Sequence, residues 1–132
     1  MKGFQVFGFD INESIVENIN NCKSHINEKD LDISLKEVVR NNYLIAKTNP
    51  SEADVYIIAV PTPHYLKNNG MYYPDISMII DAINSIVSLL KKDDLIILES
   101  TSPVGTTEKI YKLILENTEL NADQIDIAYC PE

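Results

Sequence analysis

Apolar residues in this chain form short continuous runs that alternate with longer, periodically patterned segments. Five runs are rich in β-branched and aromatic residues, which is typical of strands; they span residues 5–9, 44–47, 55–60, 95–98 and 125–129. The runs are nearly uninterrupted, as expected for a parallel sheet that is covered on both faces. They therefore predict five buried, mainly parallel strands.

The segments between the runs predict helices. Residues 76–90 carry isoleucine, valine or leucine at helical spacing, and Asp75 can cap this long helix. A helix is also expected over residues 106–117. Asn12 can cap another that ends at about residue 21.

Two polar segments interrupt this pattern. Residues 23–33 predict a loop, followed by a short helix that opens at Ser34, because Ser34 and Glu37 have the spacing of a capping box. Residues 62–74 combine proline, glycine, polar and tyrosine residues, and they predict a second loop. Strands that alternate with helices indicate an α/β fold with a doubly wound, mainly parallel sheet.

Small polar and charged residues stand where the apolar runs stop. Asp10 closes the first run, Val-Pro-Thr-Pro at 60–63 ends the third, Ser100 and Thr101 end the fourth, and Glu132 follows the last. Ligands of open α/β sheets bind in the crevice outside the carboxyl ends of the strands. These four strand ends are therefore the predicted functional site.

Composition narrows the choice of partners. The 132 residues carry 20 acidic and 11 basic side chains, and the formal net charge of -9 disfavours nucleic acid and anionic membranes. No apolar run approaches the roughly 20 residues of a membrane span. The chain has two cysteines, Cys22 and Cys130, and two histidines, His25 and His64. Their spacing does not match that of metal ligands, so no metal site is predicted. Because the two cysteines are far apart in the sequence, we expect free thiols in a cytoplasmic protein.

The position of Asp10 suggests that elements are missing. It resembles the acidic residue that ends the second strand of a dinucleotide-binding half, about 20 residues after a glycine fingerprint. Gly3 and Gly8 do not form that fingerprint. We therefore expect a Rossmann-like sheet without its first strand, glycine-rich loop and first helix. Residues 1–132 would be a partial dinucleotide-binding domain, cut from a longer enzyme whose substrate and C-terminal domains are absent.

Five motifs occur in a fixed order along the chain. They are Gly8-Phe-Asp-Ile-Asn12, Ala59-Val-Pro-Thr-Pro63, Pro74-Asp75, Leu98-Glu-Ser-Thr-Ser-Pro-Val-Gly-Thr-Thr107 and Ala128-Tyr-Cys-Pro-Glu132. Together they resemble the UDP-glucose/GDP-mannose dehydrogenase family, the nucleotide-sugar 6-dehydrogenases. Within the family, the second, fourth and fifth motifs are most similar to the bacterial UDP-N-acetyl-D-mannosamine dehydrogenases. The resemblance covers essentially the whole chain.

The resemblance implies an activity for the full enzyme. The family oxidises the C6 primary alcohol of a nucleotide sugar to a carboxylate, with two NAD+ and a cysteine-linked thioester that water cleaves. It implies NAD as the cofactor, a UDP-sugar as the substrate and a role in polysaccharide biosynthesis. Among UDP-sugars, UDP-N-acetylmannosamine is the expected substrate. The nucleophilic cysteine and the dimerisation helix of the family lie outside this sequence. The full enzyme is therefore expected to be a homo-oligomer and the chain alone to be inactive.

The resemblance also assigns cofactor contacts. Asp10 would accept hydrogen bonds from the adenosine ribose, and the absence of an arginine just after it favours NAD over NADP. Val60, Pro61 and Thr62 would lie against the cofactor, and the prolines would fix the direction of the Thr62 hydroxyl. From the residues alone, Asp10 can also be a solvated loop aspartate or a helix cap, and the proline segment can be a turn without a ligand.

Two catalytic roles follow from the same resemblance. Ser100 and Thr101 would contact NAD, and Thr101 would also help to place the hydrolytic water. Glu132 would activate that water or hold a proton if partial burial raised its pKa. From the residues alone, Glu132 can be solvated and the Thr101 segment can be a helix entry. Cys130 has no histidine or lysine nearby in sequence, so it is not expected to be the nucleophile.

Two other functions remain open at this point. The alternative is a non-catalytic, doubly wound nucleotide-binding or regulatory module. A receiver domain, for example, needs an acidic pair after its first strand and a lysine at the end of its fifth, and neither occurs in this order. A degenerate gene product without a ligand is the third possibility. A titration with NAD would separate a dehydrogenase from both.

Overall fold

The computed structural model describes residues 3–24, 26, 30–66 and 70–131. The chain divides into two compact units, residues 1–51 and 52–132. In both units helices connect successive parallel strands, and three strand pairs are parallel: Val6–Phe9 with Leu44–Lys47, Val55–Ile58 with Asp94–Leu98, and Asp94–Leu98 with Ile125–Tyr129. The predicted α/β class is confirmed at this level.

The described residues of the first unit form one parallel pair of strands and two helices. β1 (Val6–Phe9) pairs with β2 (Leu44–Lys47), and α1 (Glu13–Asn20) and α2 (Leu31–Arg40) connect them. Both helices pack against β2. The crossover through helices allows the two strands to run in the same direction.

A side-chain amide covers part of the outer edge of β2. The Asn20 Nδ2 donates to the carbonyl oxygen of Ala46 at 2.9 Å, and the Ala46 N–H donates to the Asn20 Oδ1 at 2.9 Å. This pair of bonds imitates a neighbouring strand at one residue. It anchors the end of α1 and blocks further strand pairing at that point.

The start of α2 differs from the prediction. The helix begins at Leu31, not at Ser34, so the predicted loop over residues 23–33 is too long. Leu35 is buried, and Leu31 lies one turn before it on the same stripe, which extends the apolar pattern of the helix by a turn. The capping-box spacing from Ser34 was therefore misleading, because burial of the apolar stripe outweighs a local capping motif.

In the second unit, residues 52–66 and 70–131 form a three-stranded parallel sheet, a small hairpin and two α-helices. Its elements follow in the order β3 (Val55–Ile58), β4 (His64–Leu66), β5 (Tyr72–Pro74), α3 (Ser77–Ile86), β6 (Asp94–Leu98), α4 (Thr106–Asn117) and β7 (Ile125–Tyr129). The sheet has the strand order β3-β6-β7, with β6 in the centre. Within the described ranges, no helix has the length and apolar composition to cross a membrane.

One face of this sheet forms the core of the second unit with both helices. The core residues alternate along the strands and recur at helical spacing on α3 and α4. They are Tyr56, Ile58, Ile79, Ile83, Ile86, Ile96, Leu98, Ile110, Ile114 and Ile125. The central strand contributes Ile96 and Leu98, which are both fully buried. The apolar pattern of α3 and α4 is thus explained by burial on one sheet face.

The opposite face of the sheet is less covered than the apolar runs predict. Val55 is 48% exposed and Ile57 is 60% exposed, although both are β-branched residues in β3. Their neighbours Tyr56 and Ile58 point to the core and are buried. The expectation that both faces are covered is therefore not met at β3 by the described part of the chain.

The segment predicted as a loop over residues 62–74 contains an antiparallel hairpin. β4 pairs with β5, and His64 lies opposite Pro74 in the register. Tyr65 and Tyr73 are direct cross-strand partners, and their rings stack with centroids 6.1 Å apart. Such aromatic pairs stabilise short strands. The sequence analysis did not predict these two three-residue strands, because proline, glycine and polar residues in the segment indicate a loop and the strands are too short for a periodic pattern.

The predicted long helix is correct in place but too long. α3 ends at Ile86, and a 3₁₀ turn covers Val87–Leu89. The N-cap of α3 is Ile76, which makes no side-chain cap bond, so the predicted cap at Asp75 is displaced by one residue. The Asp75 Oδ1 nevertheless accepts a hydrogen bond from the Ser77 N–H at 2.8 Å. This bond lowers the pKa of Asp75, so its stabilising contribution is present above the unfolded pKa and is lost as the pH falls through the lowered one.

An ion cluster closes the amino-terminal end of the sheet. The carboxylate of Asp94, 1% exposed, accepts hydrogen bonds from the backbone N–H of Lys91 at 2.9 Å and from its Nζ at 2.8 Å. The Lys91 Nζ also lies 3.2 Å from the Asp54 Oδ1, and the Asp54 side chain is 95% exposed. The hydrogen bond to Asp94 raises the pKa of Lys91, which keeps the ammonium charged.

Replacement of Asp94 with alanine is expected to lower the free energy of unfolding by about 1–3 kcal/mol, because it leaves the Lys91 N–H without its acceptor. Urea denaturation checks this value. Asp54→Ala is the matched control, since it removes an exposed partner of the same lysine and should have no measurable effect. Equal effects of the two substitutions would contradict this account of the cluster.

Candidate functional site

Asp10 is held in a defined orientation at the end of β1. Its N–H donates to the Lys47 carbonyl at 3.2 Å, which extends the pairing with β2 by one bond. Its Oδ1 accepts the Asn12 N–H at 2.8 Å, and the Asn12 Oδ1 accepts the Ser14 N–H at 3.0 Å at the start of α1. Asn12 is thus the helix cap that the sequence predicts.

The second oxygen of Asp10 is available to a ligand. Among the described residues, no donor forms a hydrogen bond with Oδ2, and the side chain is only partly exposed. A carboxylate with one oxygen fixed by its own turn and one oxygen open can accept hydrogen bonds from hydroxyl groups in a preset geometry. Asp10 therefore lies just before the cap residue Asn12, and contact between its second oxygen and a ligand stays a prediction.

The proline segment after β3 is fixed at both ends. The Ser100 hydroxyl donates to the Val60 carbonyl at 2.7 Å, and the Asp75 N–H donates to the Pro63 carbonyl at 2.7 Å. Thr62 lies between these two ties and is half-buried. With Pro61 and Pro63 restricting the backbone as well, Thr62 occupies a rigid position.

Ser100 is buried and forms the link between two strand ends. Its side chain contacts the carbonyl oxygens of Ile58 at 3.3 Å and Val60 at 2.7 Å, and the residue is 8% exposed. A hydroxyl has one proton to donate, and the shorter bond to Val60 takes it. The strand end at Ser100 and the proline segment therefore lie side by side and are joined by a direct hydrogen bond.

Thr101 follows Ser100 and is exposed. The loop then turns into α4 through Gly105, whose φ of +87° is a backbone conformation that favours glycine. At the first residue of the helix, the Thr106 Oγ1 donates to the Pro103 carbonyl at 2.7 Å. Thr106 is 2% exposed, so the helix entry is a buried, hydrogen-bonded corner that leaves Thr101 outside it.

Tyr129 is a residue of this region that the sequence reasoning missed. Its hydroxyl accepts the Ser102 N–H at 3.2 Å and lies 3.3 Å from the Ser102 carbonyl oxygen, to which it can donate. The sequence gives one indication of this role: Tyr129 is an aromatic residue with a hydroxyl group at the last position of a strand, and the strand ends carry the candidate site. Partners of a tyrosine hydroxyl cannot be read from the sequence alone.

The remaining predicted residues have different outcomes. Glu132 and His25 lie outside the described residues. Cys130 is exposed, and its backbone N–H donates to the Leu98 carbonyl at 3.0 Å. Cys22 is half-buried, and both cysteines are free thiols. Within the described ranges, no group of histidine, cysteine, aspartate or glutamate side chains is arranged to hold a metal ion.

These features define a class of protein. Parallel strands joined by helices, with a carboxylate after β1 and small hydroxyl residues after β3 and β6, are typical of a dinucleotide-binding α/β domain. The family model described as the UDP-glucose/GDP-mannose dehydrogenase family, NAD binding domain, matches residues 1–132. The chain therefore belongs to this family, and the predicted resemblance and the NAD-binding character are confirmed.

Several curated relatives are similar to the chain along its whole length. The UDP-N-acetyl-D-mannosamine dehydrogenase of Methanococcus aeolicus is 46% identical over 132 residues, which are 100% of this chain and 29% of the relative. The enzyme of the same name from Escherichia coli strain K12 is 44% identical over 136 residues, which cover 97% of this chain and 31% of the relative. The chain thus spans about a third of the length of these relatives.

Solved structures agree with the fold. The UDP-N-acetyl-mannosamine dehydrogenase of Staphylococcus aureus is similar with a TM-score of 0.90 and 35% identity, over 98% of this chain and 31% of that one. The corresponding enzyme of Pyrococcus horikoshii gives a TM-score of 0.88 at 34% identity, over the same shares of the two chains. The Rossmann-like, doubly wound fold class is therefore confirmed.

Proposed function

We propose that this chain is the NAD-binding part of a dehydrogenase that oxidises the C6 alcohol of a UDP-sugar to the uronate. UDP-N-acetylmannosamine is the proposed substrate, because relatives that are 44–47% identical carry the name UDP-N-acetyl-D-mannosamine dehydrogenase. Relatives named NDP-N-acetyl-D-galactosaminuronic acid dehydrogenase are 40–41% identical. An N-acetylated nucleotide sugar is thus the best-supported substrate class.

The observation that carries this proposal is the geometry of Asp10. The open oxygen of its carboxylate is suited to the hydroxyl groups of the adenosine ribose, while Oδ1 remains tied to the Asn12 N–H. The residues that follow are Ile11, Asn12 and Glu13, so no cation is present there for a 2′-phosphate. The residues therefore fit NAD, and a carboxylate at Asp10 repels the additional phosphate of NADP.

In the second unit, the strand ends offer hydroxyl groups to the cofactor. Thr62 and Thr101 are the proposed contacts, and Val60 and Pro61 provide the fixed backbone beside it. Bound NAD supplies the hydride-accepting chemistry, and the protein supplies binding, orientation and exclusion of side reactions. Ser100, whose proton is directed at Val60, acts by holding the proline segment in place.

The remaining parts of the proposal concern the complete reaction. Glu132, after the last strand, is the proposed group for activation of the hydrolytic water, with Thr101 helping to place that water. The reaction takes place in the cytoplasm, and its product serves polysaccharide synthesis. The active form is a homo-oligomer that contains residues beyond these 132.

The proposal is tested by calorimetric titration of the native polypeptide that contains these 132 residues, with NAD+ and with NADP+ in parallel. We expect NAD+ to bind at least about tenfold more tightly, since the carboxylate discriminates against the 2′-phosphate. Absence of NAD+ binding, or equal affinity for both, would overturn the proposal. The separated 132-residue chain should produce no NADH with UDP-N-acetylmannosamine, and turnover above background would refute that expectation.

A further inference from the structure

A tyrosine at the end of β7 is bonded to a backbone segment from another part of the sheet. The Tyr129 hydroxyl meets both the N–H and the carbonyl oxygen of Ser102, at 3.2 Å and 3.3 Å. It acts as acceptor in the first contact and as donor in the second. One side chain thus satisfies both polar groups of one peptide residue in an exposed loop.

Core packing does not account for this arrangement. Tyr129 is 45% exposed, and the residue with which it pairs on β6, Leu98, is fully buried without help from the hydroxyl. When an exposed tyrosine hydroxyl exchanges a hydrogen bond with water for one with the protein, the free energy of unfolding changes little. The effect of the contact is therefore mainly on the position of the loop that carries Ser102.

The loop that carries Thr101 is fixed on both sides of this residue. On one side, the Ser100 hydroxyl is bonded to Val60, and the Ser100 N–H donates to the Ile58 carbonyl at 3.2 Å. On the other side, Tyr129 holds Ser102. Thr101 is the exposed residue between two ties that lead to different neighbouring strands, β3 and β7.

We propose that Tyr129 is a positioning residue of the dehydrogenase, which fixes the backbone of Ser102 and thereby the direction of Thr101. The proposal rests on the role of Thr101 in the proposed function. Reaction rates depend steeply on geometry, so a loop held in one arrangement binds and orients a cofactor better than a loop that samples several. Loss of the hydroxyl would leave the fold intact and relax this loop.

Tyr129→Phe is the direct test, because it removes the hydroxyl and keeps the ring. Tyr111→Phe is the matched control: the Tyr111 hydroxyl also donates to a backbone carbonyl, that of Ala122 at 2.8 Å, but at the far end of α4. Both variants are made in the native polypeptide that contains these 132 residues. Each loses one tyrosine hydroxyl that is bonded to backbone.

The first readout is exchange of the Ser102 amide proton with water, measured by NMR. We expect exchange in Tyr129→Phe to be about three- to tenfold faster than in the unchanged protein, since the amide loses its acceptor. Tyr111→Phe should leave this rate unchanged. Unchanged exchange in Tyr129→Phe would overturn the proposal, because the tie would not then hold the loop.

The second readout is NAD binding and turnover. In Tyr129→Phe, we expect the affinity for NAD+ to fall by about three- to tenfold and kcat to fall with it, while the KM for the UDP-sugar stays the same. The melting temperature should change no more than in Tyr111→Phe. Normal affinity and kcat together with faster exchange would refute the positioning role. Failure of the unchanged protein to bind NAD+ would instead refute the proposed function on which that role rests.

Discussion

Replacement of Asp10 with asparagine is expected to weaken NAD+ binding by about tenfold or more. The amide oxygen can still accept the Asn12 N–H, so the turn into α1 is preserved. The variant loses the charged acceptor for the ribose hydroxyls, and hydrogen bonds to charged groups contribute about 1.5–3 kcal/mol. Affinity for NADP+ should fall less than affinity for NAD+, because the repulsion of the 2′-phosphate is removed as well.

Calorimetric titration of the variant with both dinucleotides measures this change. Asp81→Asn is a suitable control, because Asp81 is an exposed aspartate on α3 and is not placed in the site. The same loss of NAD+ affinity in both variants would point to a general effect of net charge. An unchanged affinity in Asp10→Asn would show that the ribose does not bind at this carboxylate.

Replacement of Ile96 with alanine is expected to lower the free energy of unfolding by about 3–4 kcal/mol. Ile96 lies on the central strand, is 0% exposed and belongs to the core that α3 and α4 share with the sheet. Truncation removes the transfer free energy of three carbon atoms and leaves a cavity that the surrounding core fills only in part. Chemical denaturation with a two-state fit measures the difference.

The matched control for Ile96 is Ile57→Ala on the adjacent strand. Ile57 points to the less covered face and is 60% exposed, so the same truncation should cost about 1 kcal/mol or less. A cost at Ile57 equal to that at Ile96 would contradict the one-sided core described for the second unit. It would show that the exposed face of β3 is covered in the native protein.

The elements that the sequence predicted best have strong apolar patterns and definite limits. β2, α4 and β7 have the predicted bounds, because the run or helical stripe ends at Thr48, at Asn117 and before Pro131, respectively. The predicted start of α2 and the predicted end of α3 were wrong, because tertiary contacts decide where a helix begins and ends. The hairpin at residues 64–74 was missed because three-residue strands leave almost no periodic signal.

The candidate site could be predicted in outline, but its internal support could not. The prolines and hydroxyl residues after the strands marked the place, since breaks in apolar runs are visible in the sequence. The bonds from Ser100 to Val60 and from Tyr129 to Ser102 depend on β3, β6 and β7 being neighbours. A sequence gives the order of strands along the chain and does not give their order in the sheet.

The most direct test of the account is a crystal structure of the native polypeptide that contains these 132 residues, grown with NAD+. We predict that the hydroxyls of the adenosine ribose lie within hydrogen-bond distance of the Asp10 carboxylate, with Oδ1 still bonded to the Asn12 N–H. Bound NAD+ with its ribose at another residue, and with Asp10 in contact only with solvent, would contradict the account.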